Sequence, residues 1–376
     1  MKNRLAFIDI LRGWAVLVMI EVHVFNAYLL SSIRSTSWFE VLNFINGLVA
    51  PSFIFISGFI FTFTSQKKLE SFRTFGSPFW KQLGRIGFIW MIGYFLHLPA
   101  ATFQQMMTET TERDWLIFYQ SDVLHCIAFG LLYLFIFRIL IHSDRTYRTF
   151  LMISGFVVLI TTKFIWDINF LRWLHPAFAA YFNNQNISLF PLFPWMAFIL
   201  FGGFFATGYI RARENQVEKK YIQSFGIIAI GIILLSIFGR QLSLEQGVGS
   251  SDIRASILFF FERLGIVMFL LCACWYYADY RKTEKSFILD ASKESLLVYS
   301  LHLYVIYGFV WNGQRLVSIY GKASGVLECL IGTIVLVLFM IIAAKIWGWL
   351  KHNHSPFARG LFWMSAGTYF IWFFSH

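Results

Sequence analysis

Long apolar stretches separated by short polar segments run along almost the whole chain. A helix that crosses the hydrocarbon core of a bilayer needs about 20 consecutive, mostly apolar residues, and about ten or eleven stretches meet that length. The predicted spans are residues 7–30, 40–64, 82–102, 122–141, 149–166, 191–210, 221–239, 255–278, 288–311, 326–350 and 360–375. The pattern predicts an all-α, polytopic transmembrane helix bundle, with residues 1–376 forming a single integral-membrane domain.

The composition agrees with a chain that lies mostly inside a bilayer. Hydrophobic residues make up 58% and charged residues 14% of the sequence, whereas soluble proteins carry roughly 25% charged residues. The net charge of +11 is distributed between the apolar stretches rather than on a soluble basic surface, so no nucleic-acid partner is predicted. The four cysteines lie inside apolar stretches with no histidine at a zinc spacing, and no metal site is predicted.

Alternate connections between the spans differ in positive charge. Because cytoplasmic loops of membrane proteins carry an excess of Lys and Arg, the cation-rich connections are predicted to be cytoplasmic, as is the N-terminus. Their cations are Lys2, Arg4, Lys67, Lys68, Arg73, Lys81, Arg145, Arg148, Arg211, Arg213, Lys219, Lys220, Arg281, Lys282, Lys285, Lys351 and Arg359. The expected location is a bacterial plasma (inner) membrane, where membrane lipids surround the helices.

The first predicted span carries two ionisable side chains on one face. Arg12 and His23 are eleven residues apart, and at about 100° per residue they point within about 20° of the same direction. Their separation along the helix axis is roughly 16 Å, which places Arg12 near the cytoplasmic boundary and His23 in the outer half of the membrane. Since ionisable groups inside membranes usually face a bundle interior or a water-filled cavity, both are predicted to face one channel.

The two side chains suit opposite ends of a transfer reaction. The guanidinium of Arg12 is always charged and pairs bidentately with phosphate, and Asp9, one turn earlier, is placed to hold it. The neutral imidazole of His23 can take a proton from an attacking hydroxyl or amine. Their separation is comparable to an extended pantetheine arm, so acetyl-CoA or another acyl-CoA would fit as co-substrate, as would many other long molecules; no permanently bound cofactor is expected. The alternative is that Arg12 is a boundary charge and His23 a packing residue.

Other polar side chains lie at the ends of apolar stretches or inside them. Asp122 and His125 are three residues apart at the outer start of the fourth predicted helix, a spacing that allows a hydrogen bond. His302 and Tyr299 lie well inside the ninth predicted helix. Each pair is expected either to contact an acceptor substrate or to form a structural network. His97 is interpreted as a packing residue.

These residues occur in motifs that resemble the transmembrane acyltransferase superfamily, most closely its heparan-α-glucosaminide N-acetyltransferase-like branch. The opening Ile8-Asp-Ile-Leu-Arg-Gly13 is similar to the D-x-x-R-G start of that branch. Arg12, ten intervening residues and His23 also resemble the arginine–histidine signature of the acyltransferase family that O-acetylates bacterial glycans. Further similar segments are Pro51-Ser-Phe-Ile-Phe-Ile-Ser-Gly58, Asp122-Val-Leu-His125, Phe190-Pro-Leu-Phe-Pro-Trp195 and Ser295-Leu-Leu-Val-Tyr-Ser-Leu-His302.

The resemblance implies a membrane acyltransferase. It would move an acyl group, usually acetyl, from cytosolic acyl-CoA to a sugar hydroxyl or amine of a glycan or glycolipid on the extracytoplasmic side. His23 would be the catalytic base, Arg12 with Asp9 would act at the donor end, and Asn26, one turn beyond His23, is the candidate donor to the tetrahedral oxyanion. The acceptor, O- versus N-transfer, the acyl chain length and a homo-oligomeric state are left open.

The alternative function is a membrane transporter or a lipid-linked glycan flippase. Intramembrane charges would then line a transport pathway. Many transporters are built from internal repeats and paired broken helices, and neither is evident in this sequence. The enzyme is therefore the favoured prediction.

Overall fold

The computed structural model describes residues 5–185, 187–242, 252–281, 292–308 and 315–375. Over these residues the ordered elements are helices joined by short connections. The α-helices, in chain order, are α1 Ala6–Tyr28, α2 Ser37–Asn46, α3 Val49–Ser65, α4 Leu69–Arg73, α5 Ser77–Leu96, α6 Phe103–Thr108, α7 Glu112–Tyr119, α8 Val123–Leu140, α9 Asp144–Asp167, α10 Pro176–Ala179, α11 Leu192–Glu214, α12 Glu218–Gln241, α13 Ile257–Arg281, α14 Ser295–Tyr307, α15 Leu316–Tyr320, α16 Val326–Asn353 and α17 Ser355–Ser375.

The prediction of an all-α membrane bundle is confirmed. Within the described ranges, seven helical stretches are long and apolar enough to cross a bilayer, and a helix lies in each of the eleven predicted spans. The last predicted span, 360–375, falls within α17, a helix of 21 residues. Of the span predicted at 288–311, the described helix is α14, and residues 288–291 and 309–311 lie outside the described residues.

Two predicted spans have different boundaries in the structure, and proline explains both. The span predicted at 40–64 is divided at Gly47; the break places Pro51 in the first turn of α3, where a missing backbone N–H leaves no helical bond unmade. The span predicted at 82–102 is the helix α5, which ends at Leu96. Pro99 follows, and a proline disfavours helical geometry in the residue before it.

The chain divides into two compact units. The first comprises the described residues up to Val49, Leu98–Trp115 and the described residues from Tyr276 onward. The second comprises Ala50–His97 and Leu116–Trp275. Each unit combines segments that are distant in sequence, so the packing of each depends on contacts that no single apolar stretch specifies.

In the first unit, α1 packs against α14 and α16, and α16 packs against α17. The segment before α16 donates hydrogen bonds to the carboxyl end of α1. Lys322 N donates to the carbonyl of Ala27, and Ser324 N donates to that of Tyr28 at 2.9 Å. Arg34 also donates to the carbonyls of Phe25 and Asn26. Since the last carbonyls of a helix have no partner within it, these contacts stabilise the α1 terminus.

In the second unit, an aromatic core joins α3, α11 and α12. The side chains of Phe55, Phe59 and Phe205 are fully buried. The ring centroid of Phe205 lies 3.7 Å from that of Phe225 and 5.6 Å from that of Phe59. Large aromatic side chains bury extensive surface in defined ring geometries, so this cluster fixes the relative positions of the three helices.

Two glycines allow α3 and α11 to approach each other closely. A Cβ atom added to Gly58 would collide with the carbonyl oxygen of Ile199, and one added to Gly202 would collide with that of Phe55. Small residues let helix backbones come together in membranes, where van der Waals packing drives helix association. Gly58 and Gly202 therefore set the distance between the two helices.

We expect Gly202→Ala to destabilise the protein, because the added methyl group would force the α3 backbone to move. Overpacking typically costs about 1–3 kcal/mol, so the melting temperature in detergent should fall by several degrees, measured by fluorescence-detected size-exclusion after heating. The control is Gly231→Ala, whose added carbon meets no heavy atom within 4 Å; it should be neutral or stabilising, since alanine is the better helix former. An unchanged melting temperature for Gly202→Ala would contradict the proposed close contact.

Candidate active site

The amino-terminal part of α1 holds an ion pair between the buried Asp9 and the partly buried Arg12. Nη2 of Arg12 lies 2.8 Å from Oδ1 of Asp9, one helical turn earlier. Nε of Arg12 donates to the Ser292 hydroxyl at 3.0 Å, and that hydroxyl donates to Oδ1 of Asp9 at 3.2 Å. A charge taken out of water is costly unless it is paired and hydrogen-bonded. The three groups satisfy one another, and the guanidinium is held in one orientation.

The later part of α1 places His23 in a cluster of aromatic rings. Its ring centroid lies 5.2 Å from that of His302 and 5.8 Å from that of Tyr307, both on α14. The Tyr307 hydroxyl donates to the backbone carbonyl of His23 at 3.3 Å. Tyr299, one turn before His302, packs edge-on against the His302 ring with centroids 5.8 Å apart. The two histidines that the sequence analysis named separately are therefore neighbours.

The tautomer of His302 follows from its hydrogen bond. Nδ1 lies 2.7 Å from the carbonyl oxygen of Val298, and because a carbonyl can only accept, Nδ1 carries the proton. In the neutral ring Nε2 then bears the lone pair. This atom is buried and has no hydrogen-bond partner among the described residues. His302 thus keeps one unpaired proton acceptor in the apolar interior beside His23.

Arg12 and His23 contact the same neighbouring segment in the same order. Arg12 meets Ser292, just before α14, and His23, further along α1, meets His302 and Tyr307. Residue numbers rise together on both sides of the contact, so α1 and this segment run parallel. Both side chains point toward one flanking helix, with the ion pair at one end of the contact and the imidazoles at the other.

The other polar side chains of α1 lie away from this cluster. Asn26 is exposed, and its backbone carbonyl accepts a hydrogen bond from Arg34. Glu21 is half-buried and accepts a hydrogen bond of 3.4 Å from Asn46 of α2. Neither side chain forms a hydrogen bond with the His23 ring in the described part of the chain, and the aromatic contacts of that ring are with His302 and Tyr307 of α14.

The second unit contains another buried histidine, at the start of α8. The side chain of Asp122 caps the helix by accepting from the His125 backbone N–H at 3.0 Å, and its Oδ1 also lies 2.8 Å from His125 Nδ1. The Asp122 backbone N–H donates in turn to His125 Nδ1 at 3.3 Å, which completes a capping box. The other ring nitrogen, Nε2, is buried and has no hydrogen-bond partner among the described residues.

Aromatic and polar groups from α5, from His97 just after it and from the connection between α10 and α11 surround His125. The ring of Tyr94 packs edge-on against it with centroids 4.3 Å apart, and the hydroxyl groups of Tyr94 and Tyr181 are 2.9 Å apart. His97 Nδ1 lies 3.9 Å from Oδ2 of Asp122. A Cβ on Gly93 would lie 2.7 Å from Cε1 of His125, so this glycine provides the space for the imidazole.

Several members of the two clusters were not found from the sequence. Ser292 and Tyr307 complete the α1 contacts, while Tyr94 and Tyr181 surround His125. His97, interpreted as a packing residue, lies next to Asp122. One local signal was available: Gly93, Tyr94 and His97 lie within about one turn of each other at the end of α5, in an otherwise large-residue stretch. For Ser292 and Tyr307, the sequence offers no comparable sign.

Apolar helices that enclose paired histidines and an ion pair define a polytopic integral membrane protein with ionisable groups in its interior. Residues 4–241 match the family model described as heparan-alpha-glucosaminide N-acetyltransferase, catalytic. The match covers more than half of the chain, which belongs to this membrane acetyltransferase family. The resemblance inferred from the sequence motifs is thereby confirmed. No curated protein matches the chain at a significant level.

The match divides the candidate residues into two groups. Asp9, Arg12, His23, Asn26, Asp122 and His125 lie inside the matched residues 4–241. Ser292, Tyr299, His302 and Tyr307 lie beyond them. Apart from Asp9, the side chains described around Arg12 and His23 are thus supplied by the part of the chain that the family model does not match.

Removing the side chain of Asp122 should weaken the second unit. Asp122→Ala leaves the buried backbone N–H of His125 without its acceptor, at a cost of about 1–3 kcal/mol, and we expect the melting temperature to drop by several degrees. Asp122→Asn keeps an acceptor for the backbone N–H, so its melting temperature should fall by less than that of Asp122→Ala. Asp167→Ala, at an exposed position, is the control. If Asp122→Ala melts at the wild-type temperature, the capping role is refuted.

Proposed function

We propose that the protein transfers an acetyl group from cytosolic acetyl-CoA to a sugar amine or hydroxyl of a glycan or glycolipid on the extracytoplasmic side of a bacterial plasma membrane. Membership of the heparan-alpha-glucosaminide N-acetyltransferase family supports the reaction class. One observation carries the proposal: a single helix, α1, joins the paired Arg12 at one end to the imidazoles of His23 and His302 at the other.

In this proposal, Arg12 acts on the donor. The charge pattern of the loops favours a cytoplasmic amino-terminal end for α1, the side from which acetyl-CoA arrives. Asp9 and Ser292 hold two nitrogens of the guanidinium, so its planar fork is already oriented. A phosphate of CoA would meet a fixed cation, and the side-chain entropy lost on binding would be small.

At the other end, His23 acts as the base. The acceptor nitrogen or oxygen loses a proton to the imidazole as it forms a bond to the thioester carbonyl carbon. The tetrahedral intermediate then collapses, the carbon–sulfur bond breaks, and the CoA thiolate takes the proton from the imidazolium. His302, whose lone pair on Nε2 lies in the same cluster, can stabilise the protonated state of His23. Asn26 remains the proposed oxyanion donor, which would require its exposed side chain to turn toward the site.

Replacing His23 with alanine should abolish most of the activity. General-base catalysis contributes about 10²–10⁴-fold, so the initial rate of CoA release with an α-glucosaminide acceptor, followed with a thiol reagent, should fall by at least about 100-fold. His352→Ala, an exposed histidine near the end of α16, should retain the wild-type rate. Wild-type turnover by a well-folded His23→Ala protein would eliminate the proposed base.

Arg12→Ala should weaken the binding of acetyl-CoA. Hydrogen bonds to charged groups are worth about 1.5–3 kcal/mol, which corresponds to a roughly ten- to hundredfold higher Kd. Arg12→Lys should bind with intermediate affinity, because an ammonium keeps the charge but loses the fork. Calorimetric titration of the purified protein provides the measurement. The control is Arg359→Ala, at an exposed position on α17, and equal Kd values for Arg12→Ala and wild type would exclude Arg12 from donor binding.

A further inference from the structure

A cavity of about 380 Å³ that is open to the surface on one side lies in the first unit, between α1, α14 and α16, and Phe339 in its lining is exposed. Its walls are mostly apolar, and they include Val24, Ile306, Leu336 and Phe339. Volumes of 300–1,000 Å³ are typical of small-molecule sites. None of the proposed roles of Arg12 and His23 uses this space, so the cavity needs an explanation of its own.

The cavity is polar at one end and apolar along the rest of its length. Ser324 and Glu328 line it at the start of α16, and Phe339 lines it eleven residues further along that helix. At about 1.5 Å per residue, this distance is roughly 16 Å, about half of the 30 Å hydrocarbon core of a bilayer. The shape and polarity fit a hydrocarbon chain whose polar head group lies at the end with Glu328.

Two of the helices that line the cavity, α1 and α14, also carry the histidine cluster. Val24 in its wall follows His23 directly, and Ile306 precedes Tyr307, whose hydroxyl donates to the His23 carbonyl. The Tyr28 hydroxyl, also in the lining, donates to the Ile306 carbonyl at 3.4 Å. A chain bound here would therefore lie beside the segment of α1 that presents the proposed base.

We propose that this cavity binds the hydrocarbon chain of a lipid-linked acceptor, which is held with its sugar close to His23; this inference rests on the proposed function. An acetyl group is far too small to fill the space, so the donor does not account for it. A free, water-soluble sugar would leave the apolar walls without contacts. A chain that enters from a bilayer gains little hydrophobic energy, so the cavity acts by orienting the acceptor and raising its effective concentration.

Gly332 of α16 offers a way to fill the cavity without disturbing the helix backbone. It lines the cavity, and the nearest heavy atom to an added Cβ would be Cγ1 of Val24, at an ordinary contact distance of 3.8 Å. The side chain of a Gly332→Phe variant should therefore occupy the space of the proposed chain. The matched control is Gly367→Phe on α17, in the same unit, where an added Cβ meets no heavy atom within 4 Å.

The test compares two acceptors that share one α-glucosaminide head group, a methyl glycoside and a hexadecyl glycoside, in proteoliposomes supplied with acetyl-CoA. Wild type should acetylate the hexadecyl glycoside with a kcat/KM at least about tenfold above that of the methyl glycoside. Gly332→Phe should lose this advantage while its kcat/KM for the methyl glycoside stays within about twofold of wild type. Gly367→Phe should behave as wild type with both acceptors.

A photolabelling experiment tests whether the chain binds in the cavity independently of acetyl transfer. A hexadecyl glycoside with a photoreactive group in its chain should label residues 324–339 in wild type, and the labelling should disappear in Gly332→Phe and persist with excess phosphatidylglycerol. Unchanged labelling in Gly332→Phe, or complete displacement by the phospholipid, would overturn the acceptor-chain site. Labelling that behaves as expected, in a protein that acetylates neither glycoside, would instead overturn the proposed function.

Discussion

Charged side chains inside a bilayer must be paired, and this constraint determines where the ionisable groups of this chain lie. Arg12 is neutralised by Asp9 and further bonded to Ser292. In the second unit, the fully buried Arg138 meets Asp144 and stacks on the ring of Tyr147. An unpaired charge in such surroundings would cost several kcal/mol. The first pair lies within α1 and orients its arginine, and the second also joins α8 to the start of α9.

Histidine needs no partner of opposite charge when it is buried, because its side chain can be buried in the neutral form. His23, His302 and His125 face aromatic rings rather than carboxylates of opposite charge, apart from the contact of His125 with Asp122. A neutral imidazole needs one donor and one acceptor contact, and Nε2 of His302 has no hydrogen-bond partner in the described part of the chain. Nε2 of His125 is buried in the same state. Each buried histidine cluster therefore carries a cost that packing alone does not explain.

The helices, and the face of α1 that carries Arg12 and His23, could be predicted because both follow from local periodicity. An apolar stretch of 20 residues allows few structures in a membrane, and a spacing of eleven residues fixes two directions on one helix. The neighbours of these side chains could not be predicted in the same way. Ser292 and Tyr307 reach α1 across more than 250 residues of sequence, and no periodicity within one helix reports which residues another helix brings to it.

The residues proposed to act in the reaction lie on both sides of the boundary of the family match. Arg12 and His23 lie within residues 4–241, whereas His302, Tyr307 and the α16 wall of the cavity lie beyond them. If α1 supplies the donor contact and the base, the helices after residue 241 supply what surrounds the acceptor. Donor binding and the base would then be encoded in one part of the sequence, and acceptor recognition, together with the His302 that supports the base, in another. The acceptor could change through substitutions on α14 and α16, such as those that alter the cavity around Gly332, while the ion pair and the base on α1 stay intact.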